Sequence, residues 1–330
     1  MIPLDLQSRE TVRHGIAAKV RLDHIGVVIP TFNAAKEWPG LERALEKQGL
    51  GKDQILIIDS SSSDETPVLV ARAGYHLVTI PKEDFGHGRT RQLASEHMPW
   101  AEILLYITQD AIPAEVDSIE KLCDAFDDPQ VGATYGRQIP RDQARAIERH
   151  ARLFNYPAVS EVRTFESRNR LGIKTAFLSN SFAAYRRSAL EEVGGFPVNV
   201  IIAEDSIVAA RLLMAGWKVA YQSDATVIHS HSMSIREEFA RYFDTGVHHT
   251  RESWLLEKFG TAGQEGRRFV LSELRFLKAN EPLSIPVAVL RTANKWFAYQ
   301  LGRRESRLPD FINRFFSGHP HFWNDQGSKR

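Results

Sequence analysis

The stretch Ile103-Leu104-Leu105-Tyr106-Ile107-Thr108-Gln109-Asp110-Ala111 decides the fold of this chain. Its five apolar residues predict a strand that is buried on both faces, and an acidic residue follows closely. Open α/β sheets bind their ligands at the carboxyl ends of such strands. We therefore expect Asp110 at that edge of a sheet, where a carboxylate and substrate phosphates together hold Mg²⁺ or Mn²⁺. A simple turn before Pro113 accounts for the same residues without a ligand.

Further short apolar runs alternate with helix-like segments on both sides of this stretch. Such alternation predicts an α/β protein with a mostly parallel central sheet flanked by helices. The predicted strands cover residues 25–29, 55–58, 77–80, 103–107, 176–178, 218–222 and 225–228, and the predicted helices cover 36–48, 65–73, 90–96, 187–193 and 206–215. From Ile235 the pattern is helical to the end, interrupted by Pro282 and Pro286. We expect a catalytic unit over residues 1–234 and a helical C-terminal region over residues 235–330.

Composition narrows the class of protein. The 330 residues include 42 Lys or Arg and 41 Asp or Glu, and this balance argues against a nucleic-acid-binding protein. The single cysteine, Cys123, excludes an intrachain disulfide and favours a reducing compartment. No run reaches the roughly 18 apolar residues that a membrane span needs, and residues 1–21 have no signal-peptide core. We therefore predict a cytoplasmic protein.

Polar residues follow two further predicted strands. Pro30-Thr31-Phe32-Asn33 follows the first, where exposed backbone and side-chain hydrogen bonds suit a nucleotide. Taken alone, the segment is better interpreted as a turn with an N-cap for the helix after Asn33. Asp59 ends the second, and a carboxylate there can accept the ring N–H of a uracil or thymine base. The following serines and Asp64 are better interpreted as helix caps.

A glycine-containing segment, Phe85-Gly86-His87-Gly88-Arg89-Thr90-Arg91, precedes a predicted helix. Glycines let the backbone approach a ligand, and Arg89 and Arg91 suit a diphosphate near the helix N-terminus. The segment matches no general phosphate-binding motif, so a plain glycine turn with solvated arginines fits it equally well.

Two later elements carry candidate catalytic and metal-binding groups. Glu204-Asp205 begins a predicted helix, where acidic residues are favoured by the helix dipole alone, although Asp205 would also suit a general base. His229-Ser230-His231 follows the last predicted strand and places two imidazoles on one face of an extended segment. One of them would complete a metal site.

Taken together, these motifs resemble the family-2 inverting glycosyltransferases, which have the GT-A fold, over roughly residues 25–250. The motifs that carry the resemblance are Val28–Asn33, Ile57–Asp64, Thr108–Ala111, Gly194-Gly195-Phe196 and Ala203-Glu204-Asp205, in the family's order. The family's metal motif is usually Asp-x-Asp, whereas Thr108 replaces the first aspartate here. Thr-Gln-Asp-Ala and the segment at 85–91 are similar to the rhamnosyltransferase branch, whose donor is dTDP-L-rhamnose.

The resemblance implies a role for each matching residue. It implies that Asp59 binds the pyrimidine, that Pro30, Thr31 and Asn33 line the nucleotide, and that Arg89 and Arg91 face the diphosphate. Asp110 and His229 would hold Mg²⁺ or Mn²⁺. Asp205 would be the general base, with Asn180, Glu204 and Trp217 near the sugar or acceptor; Trp217 fits equally well as a core residue.

The implied activity is transfer of a sugar, L-rhamnose in the first hypothesis, to a saccharide or lipid-linked acceptor in bacterial surface-polysaccharide (O-antigen or capsule) synthesis. A UDP-hexose donor is the second hypothesis, and a non-catalytic nucleotide-sugar-binding scaffold is the third. In the C-terminal region, arginines interleaved with aromatic residues fit helices packed on the catalytic unit. The same pattern also fits peripheral association with the inner face of the cytoplasmic membrane, or contacts in a homo-oligomer.

Overall fold

The computed structural model describes residues 22–229, 233–261 and 263–324. Its strands are β1 (Ile25–Thr31), β2 (Ile55–Asp59), β3 (His76–Thr79), β4 (Ile103–Ile107), β5 (Ile112–Pro113), β6 (Val131–Ile139), β7 (Glu161–Arg163), β8 (Phe182–Arg186) and β9 (Lys218–Ile228). Its helices are α1 (Trp38–Leu45), α2 (Thr66–Ala73), α3 (His87–His97), α4 (Ser118–Cys123), α5 (Ala146–Asn155), α6 (Arg168–Leu171), α7 (Arg187–Glu192), α8 (Glu204–Met214), α9 (Ile235–Arg251), α10 (Ser253–Phe259), α11 (Gly263–Asn280), α12 (Ile285–Gly302) and α13 (Asp310–Phe316).

The strands form one sheet in the order β3-β2-β1-β4-β8-β6-β9-β5, with β7 also paired to β9. Strands β1, β2, β3 and β4 pair in parallel, and β8 is antiparallel to both β4 and β6. Strand β9 is parallel to β6, whereas β5 and β7 are antiparallel to β9. Six of these strands therefore point the same way, as the predicted mostly parallel sheet requires.

The central strands owe their position to continuous apolar sequence. Every residue of β2 and β4 is buried, and β1 is buried except at Pro30. Helices cover the two faces of the sheet, and a separate apolar cluster lies on each face. The four predicted strands up to residue 107 are confirmed, with shifts of one or two residues at their ends.

The prediction of a strand over residues 176–178 is wrong. Ala176 ends a 3-10 helix, Gly172–Ala176, and the strand follows later as β8. The buried Arg163 guanidinium accounts for the difference, because it donates hydrogen bonds to the carbonyls of Lys174, Thr175 and Phe177 and so holds the segment as a loop. The two strands predicted over 218–228 are one strand, β9, whose pairing with β6 shifts register between Gly136 and Arg137.

The C-terminal helices pack on one another and on the α/β unit. Helices α9 and α12 approach closely where both carry glycine: a Cβ on Gly246 would lie 2.3 Å from the Tyr299 carbonyl oxygen, and one on Gly302 would lie 2.0 Å from that of Phe243. Helix α11 packs near α5, where Leu277 joins Ala146. No helix in the described ranges is long and apolar enough to cross a membrane. The domain boundary at residue 234 stays a prediction.

Candidate active site

One edge of the sheet gathers polar side chains from six strands. The carboxyl ends of β1, β2, β4, β6 and β9 lie there, because these strands point the same way. The residues that precede β8 reach the same edge, since β8 runs in the opposite direction. The motifs predicted to form the site therefore do converge, and the edge can be described from its nucleotide end to its acidic end.

The loops after β1 and β2 are joined around Asp59. Its buried carboxylate accepts hydrogen bonds from Thr31 Oγ1 (3.0 Å), Ser62 N (2.8 Å) and Ser62 Oγ (2.5 Å). Asn33 is exposed; its Oδ1 accepts a hydrogen bond from Ser63 N (2.9 Å), and its N–H donates to Ser62 Oγ (2.8 Å). Thr31, Asn33 and Asp59 are thus brought together, with Pro30 beside Ile58 in the β1–β2 pair.

Gln109 connects this loop to the candidate metal ligand, a contact that no pattern in the sequence indicates. Its Oε1 accepts from Phe32 N (2.8 Å), and its Nε2 donates to Phe32 O (3.2 Å). The amide therefore pairs with the Phe32 backbone as a neighbouring strand would, while Asp110 follows directly in the chain. Phe32 is 38% exposed, and the Lys82 ammonium lies 4.6 Å from the centre of its ring, so one face of the ring already contacts a cation.

Asp110 and His229 meet as predicted. Asp110 Oδ2 lies 3.2 Å from His229 Nε2, and both side chains are largely buried. On the far side of the ring, His229 Nδ1 lies 2.8 Å from Gln138 Oε1, which also accepts from Arg152 Nη1 at 2.5 Å. Ser230 and His231 lie outside the described residues. The alternative that His231, and not His229, completes the metal site therefore stays a prediction.

The Arg152–Gln138 contact fixes the tautomer of His229. A guanidinium only donates, so the atom of Gln138 that faces it must be the carbonyl oxygen. The same oxygen then accepts the proton on His229 Nδ1, which leaves the lone pair of a neutral ring on Nε2, beside Asp110. Metal-binding histidines are oriented by this kind of partner. A protonated ring would donate from Nε2 to Asp110 as an ion pair, whereas a neutral ring faces Asp110 with its lone pair, an arrangement that fits a divalent cation.

These two residues would be a minimal set of protein ligands. Among the described residues, no group of three or more His, Cys, Asp or Glu side chains is arranged to hold a metal ion. A cation at Asp110 and His229 would therefore take its other ligands from water and from phosphate oxygens. Mg²⁺ and Mn²⁺ sites in nucleotide enzymes commonly have this composition.

The two acids at the start of α8, Glu204 and Asp205, lie in different environments. Glu204 is buried, and its Oε1 lies 3.0 Å from Arg91 Nη1 and 2.9 Å from Asn180 Nδ2. Burial alone would raise the pKa of Glu204, but the Arg91 and His87 charges and the Asn180 hydrogen bond together lower it below its ordinary value. Glu204 is therefore an anion held in place by its partners.

Asp205 is the more accessible acid of the pair. It is half-buried, and its two oxygens accept from the backbone N–H groups of Asn180 (3.2 Å) and Ser206 (2.8 Å). Burial and, after it, the neighbouring Glu204 charge raise the pKa of Asp205 to about 7, against the lowering effects of the Asn180 and Ser206 hydrogen bonds and the Arg91 charge. A carboxylate with a pKa near neutrality is suited to general-base catalysis.

The remaining predicted site residues occupy different places. Arg89 is exposed at the start of α3, with Nη1 3.9 Å from Asp84. Arg91 is buried against Glu204, which favours a positioning role over contact with a diphosphate. Asn180 contacts both acids. Trp217 is not brought to this edge: it precedes the amino-terminal end of β9, is buried in the core and donates to Glu192 Oε2 at 3.2 Å.

Backbone strain is concentrated around the same residues. In the described ranges, the non-glycine residues with positive φ are Asn33 (49°), Ser61 (55°) and Ala203 (62°). Each lies in a loop at the site edge, and Ala203 directly precedes Glu204. Such conformations are retained where surrounding contacts enforce them, most often at functional sites.

A chain of hydrogen bonds links the C-terminal region to α3. The buried Asp244 of α9 accepts from Gly318 N (2.9 Å) and lies 3.0 Å from His319 Nδ1. On the other side of that ring, His319 Nε2 lies 3.1 Å from His87 Nε2. His87 begins α3, four residues before Arg91, so residues near the end of the described chain help to fix the glycine-containing segment.

This geometry corresponds to a known class of enzyme. The sequence profile of the family described as Glycosyl transferase family 2 matches residues 26–194. The chain therefore belongs to this family and is a glycosyltransferase. Its structure resembles that of the mannosyltransferase PcManGT from Pyrobaculum calidifontis in complex with GDP-Man and Mn²⁺, with a TM-score of 0.53 and 20% identity, covering 93% of this chain and 86% of that one. This likeness confirms the GT-A fold.

Two relatives with higher sequence identity are bacterial enzymes. The chain is 45% identical over 302 residues to the O-antigen chain rhamnosyltransferase RfbN of Salmonella typhimurium, covering 91% of this chain and 96% of that protein. It is 42% identical over 300 residues to the O-antigen chain rhamnosyltransferase WbaN of Salmonella anatum, covering 91% of this chain and 95% of that protein. The resemblance to the rhamnosyltransferase branch, predicted from Thr108–Ala111 and residues 85–91, is confirmed by these matches.

Proposed function

We propose that this chain is an O-antigen chain rhamnosyltransferase that transfers L-rhamnose from dTDP-L-rhamnose to a hydroxyl of a saccharide or lipid-linked acceptor, with inversion at the anomeric carbon. The names of its relatives give the donor sugar and the polymer. The observation that carries the proposal for this chain is Asp205, a half-buried carboxylate with a pKa of about 7 at the same sheet edge as Asp59 and Asp110.

Asp205 accepts the proton of the acceptor hydroxyl as the reaction proceeds. The acceptor oxygen then forms its bond to the anomeric carbon from the face opposite the nucleotide, and the bond from that carbon to the diphosphate oxygen breaks. The electron pair leaves with dTDP. Asn180 and Ser206 hold the Asp205 carboxylate through backbone N–H groups, so its direction is fixed before the acceptor arrives.

The other end of the edge binds the nucleotide. Asp59 accepts a hydrogen bond from the pyrimidine N–H. Thr31, whose hydroxyl donates to Asp59, lines the nucleotide together with Pro30, Asn33 and Phe32. Arg89, exposed at the N-terminus of α3, approaches the diphosphate, where helix N–H groups also favour an anion. Arg91 does not contact the diphosphate in this proposal; it pairs with Glu204 and holds that carboxylate in place.

Asp110 and His229 would hold Mg²⁺ or Mn²⁺ in this proposal, and the ion would supply positive charge beside the departing diphosphate. What supports the assignment is the Arg152–Gln138 contact, which directs the His229 lone pair toward Asp110. Thr108, in the place of the first aspartate of the family's metal motif, has a buried Oγ1 and adds no charge to the site. We also propose a cytoplasmic location with peripheral attachment to the membrane, consistent with the buried, unbridged Cys123.

A donor panel tests the proposal. Purified enzyme with Mn²⁺ and an O-antigen oligosaccharide acceptor is assayed with dTDP-L-rhamnose, UDP-galactose and UDP-glucose, and we expect turnover with the first. Asp205→Asn should lose transfer by about 10²- to 10⁴-fold while dTDP binding persists. The exposed Asp142→Asn is the matched control.

Each contrary result has a definite meaning. Faster turnover with a UDP-hexose would replace the donor assignment and leave the class of enzyme unchanged. Full activity of Asp205→Asn would remove the base assignment. Bound dTDP without turnover of any donor would favour the non-catalytic scaffold.

A further inference from the structure

Helix α12 has its charged and apolar faces reversed relative to an ordinary surface helix. Its charged side chains point into the protein: Arg291 Nη1 and Lys295 Nζ lie 3.1 and 3.2 Å from Glu238 Oε1 of α9. Both side chains are about 15% exposed. A surface helix normally keeps its charges outside and its apolar residues inside. The solvent-facing side of α12 is therefore the unusual one.

That side is apolar and exposed. Trp296 is 64% exposed and Phe297 57% exposed, and both are preceded at helical spacing by smaller apolar residues. The exposed apolar residues of α12 and the turn before it are Leu283, Val287, Val289, Leu290, Trp296 and Phe297. They occupy one side of the helix across most of its length. Exposed single apolar residues are ordinary, but a continuous row indicates an interaction surface.

The row continues onto α13. The Phe297 ring lies 6.3 Å from the Phe239 ring, the Phe239 ring lies 5.1 Å from that of Phe316, and the Phe316 ring lies 5.3 Å from that of Phe315. Phe315 is 66% exposed, and Phe311 is 68% exposed. We call this combined surface, the exposed apolar residues of α12 and α13, the α12–α13 face. It presents four large aromatic side chains to solvent.

The charge around this face is basic. Apart from the inward-facing Arg291 and Lys295, residues 285–324 contain four Arg and two Asp or Glu, and one of those acids, Glu305, is buried against Arg251. Arg304, Arg307 and Arg314 are exposed, and the Arg236 guanidinium lies 5.9 Å from the Phe315 ring. A second copy of the chain in a symmetric dimer would bring the same basic surface against itself. Anionic lipid headgroups would complement it.

We propose that the α12–α13 face docks on an anionic membrane surface, with its aromatic side chains in the headgroup region and its arginines on lipid phosphates. Aromatic residues accompanied by arginines are typical of interfacial binding. This docking does not depend on which sugar is transferred.

Contacts through α9 connect the α12–α13 face to the candidate site. Helix α9 contacts α12 through Glu238, while its Asp244 connects through His319 to His87 of α3. The face and the elements of the candidate site are therefore connected through α9. The inference rests on the proposed function in one respect, because docking would bring the enzyme to the surface that holds a lipid-linked acceptor.

Vesicle binding tests the docking without any nucleotide sugar. The full-length protein is sedimented with phosphatidylcholine vesicles and with vesicles that also contain phosphatidylglycerol. We expect binding to the second kind, weakening as salt rises. Leu290→Ser/Trp296→Ser/Phe297→Ser should reduce this binding by about tenfold or more. Arg304→Glu/Arg314→Glu should reduce it mainly at low salt. The matched control is Val116→Ser/Val159→Ser, which removes two exposed apolar side chains elsewhere.

The outcomes separate membrane docking from self-association. Loss of binding in the apolar triple variant, with the control unchanged and dTDP binding retained, supports the proposal. Absence of wild-type binding to either vesicle overturns it, as does binding that the triple variant leaves intact. If vesicles do not bind and light scattering shows a dimer that the triple variant dissociates, docking is overturned and the face is a contact between copies. Failure of rhamnosyl transfer would leave the vesicle result standing.

Discussion

Arg91 Nη1 lies 3.0 Å from Glu204 Oε1, and each of these side chains is only about 5% exposed. The pair is the reason that adjacent acids in one helical turn have different properties. Glu204 keeps its charge because Arg91 and Asn180 surround it. That charge then acts on Asp205, whose oxygens accept hydrogen bonds from the backbone N–H groups of Asn180 and Ser206. The buried ion pair thus contributes to the raised pKa of the proposed base.

Transfer should depend on pH with a midpoint near neutrality. Burial raises the pKa of Asp205 to about 7, and the base must be deprotonated to accept a proton. The value of kcat/KM should therefore rise with pH, reach half its maximum near pH 7, and fall about tenfold for each pH unit below. Initial rates at subsaturating donor over a pH series give the profile. A profile that is flat between about pH 5 and 8 would contradict a general base with this pKa.

Glu204→Gln should move this midpoint to lower pH. The substitution removes the negative charge that raises the pKa of Asp205 and leaves the Arg91 charge, which lowers it. The variant leaves the buried Arg91 without its anionic partner, so its free energy of unfolding should also fall by about 3–5 kcal/mol. The profile is therefore measured below its unfolding temperature, with Asp142→Asn as the control. An unchanged or higher midpoint would show that Glu204 does not set the pKa of Asp205.

Gln138 should act on metal affinity through His229. Gln138→Leu removes the acceptor of the Nδ1 proton, so the Nε2 lone pair is no longer directed at Asp110. We expect the affinity for Mn²⁺ in the presence of dTDP to fall about 10- to 100-fold, measured by electron paramagnetic resonance of free Mn²⁺. Gln138→Glu keeps an acceptor for His229 and a partner for Arg152, and should retain most of the affinity. Equal affinities in wild type and Gln138→Leu would contradict the positioning role.

The fold was predictable where the signal is local. Strands β1, β2 and β4 are continuous apolar runs, and the acids and polar residues at their ends marked the site edge. Strand β6 was missed because it contains Gly132, Gly136, Arg137 and Gln138, a composition that does not favour a strand. Gly136 is needed there because a Cβ would lie 2.3 Å from the Phe182 ring, a contact that only the assembled sheet creates.

The same distinction applies within the site. The positions of Asp110, His229 and Asp205 at this edge could be predicted, since each closely follows a strand or lies in the first turn of a helix, and the order of their motifs resembles the family. Arg152 and Gln138 could not, because their effect on His229 depends on a contact between α5, β6 and the end of β9. Trp217 is a residue that the sequence placed in the site and the structure does not. It is close to the acidic pair in sequence, but it lies at the amino-terminal end of β9, away from the site edge.

Two glycine substitutions should change stability in opposite directions. Gly246 lies where α9 meets α12, and a Cβ there would be 2.3 Å from Tyr299 O and 2.9 Å from Arg303 N. Gly246→Ala should therefore destabilise the protein by about 1–3 kcal/mol, since neither backbone can move away alone. Gly266 is exposed in α11 with no atom within 4 Å of an added Cβ, so Gly266→Ala should stabilise it by about 0.5–1 kcal/mol. Chemical denaturation of both variants measures the difference. A Gly246→Ala variant as stable as the wild type would mean that the two helices are not packed this closely in solution.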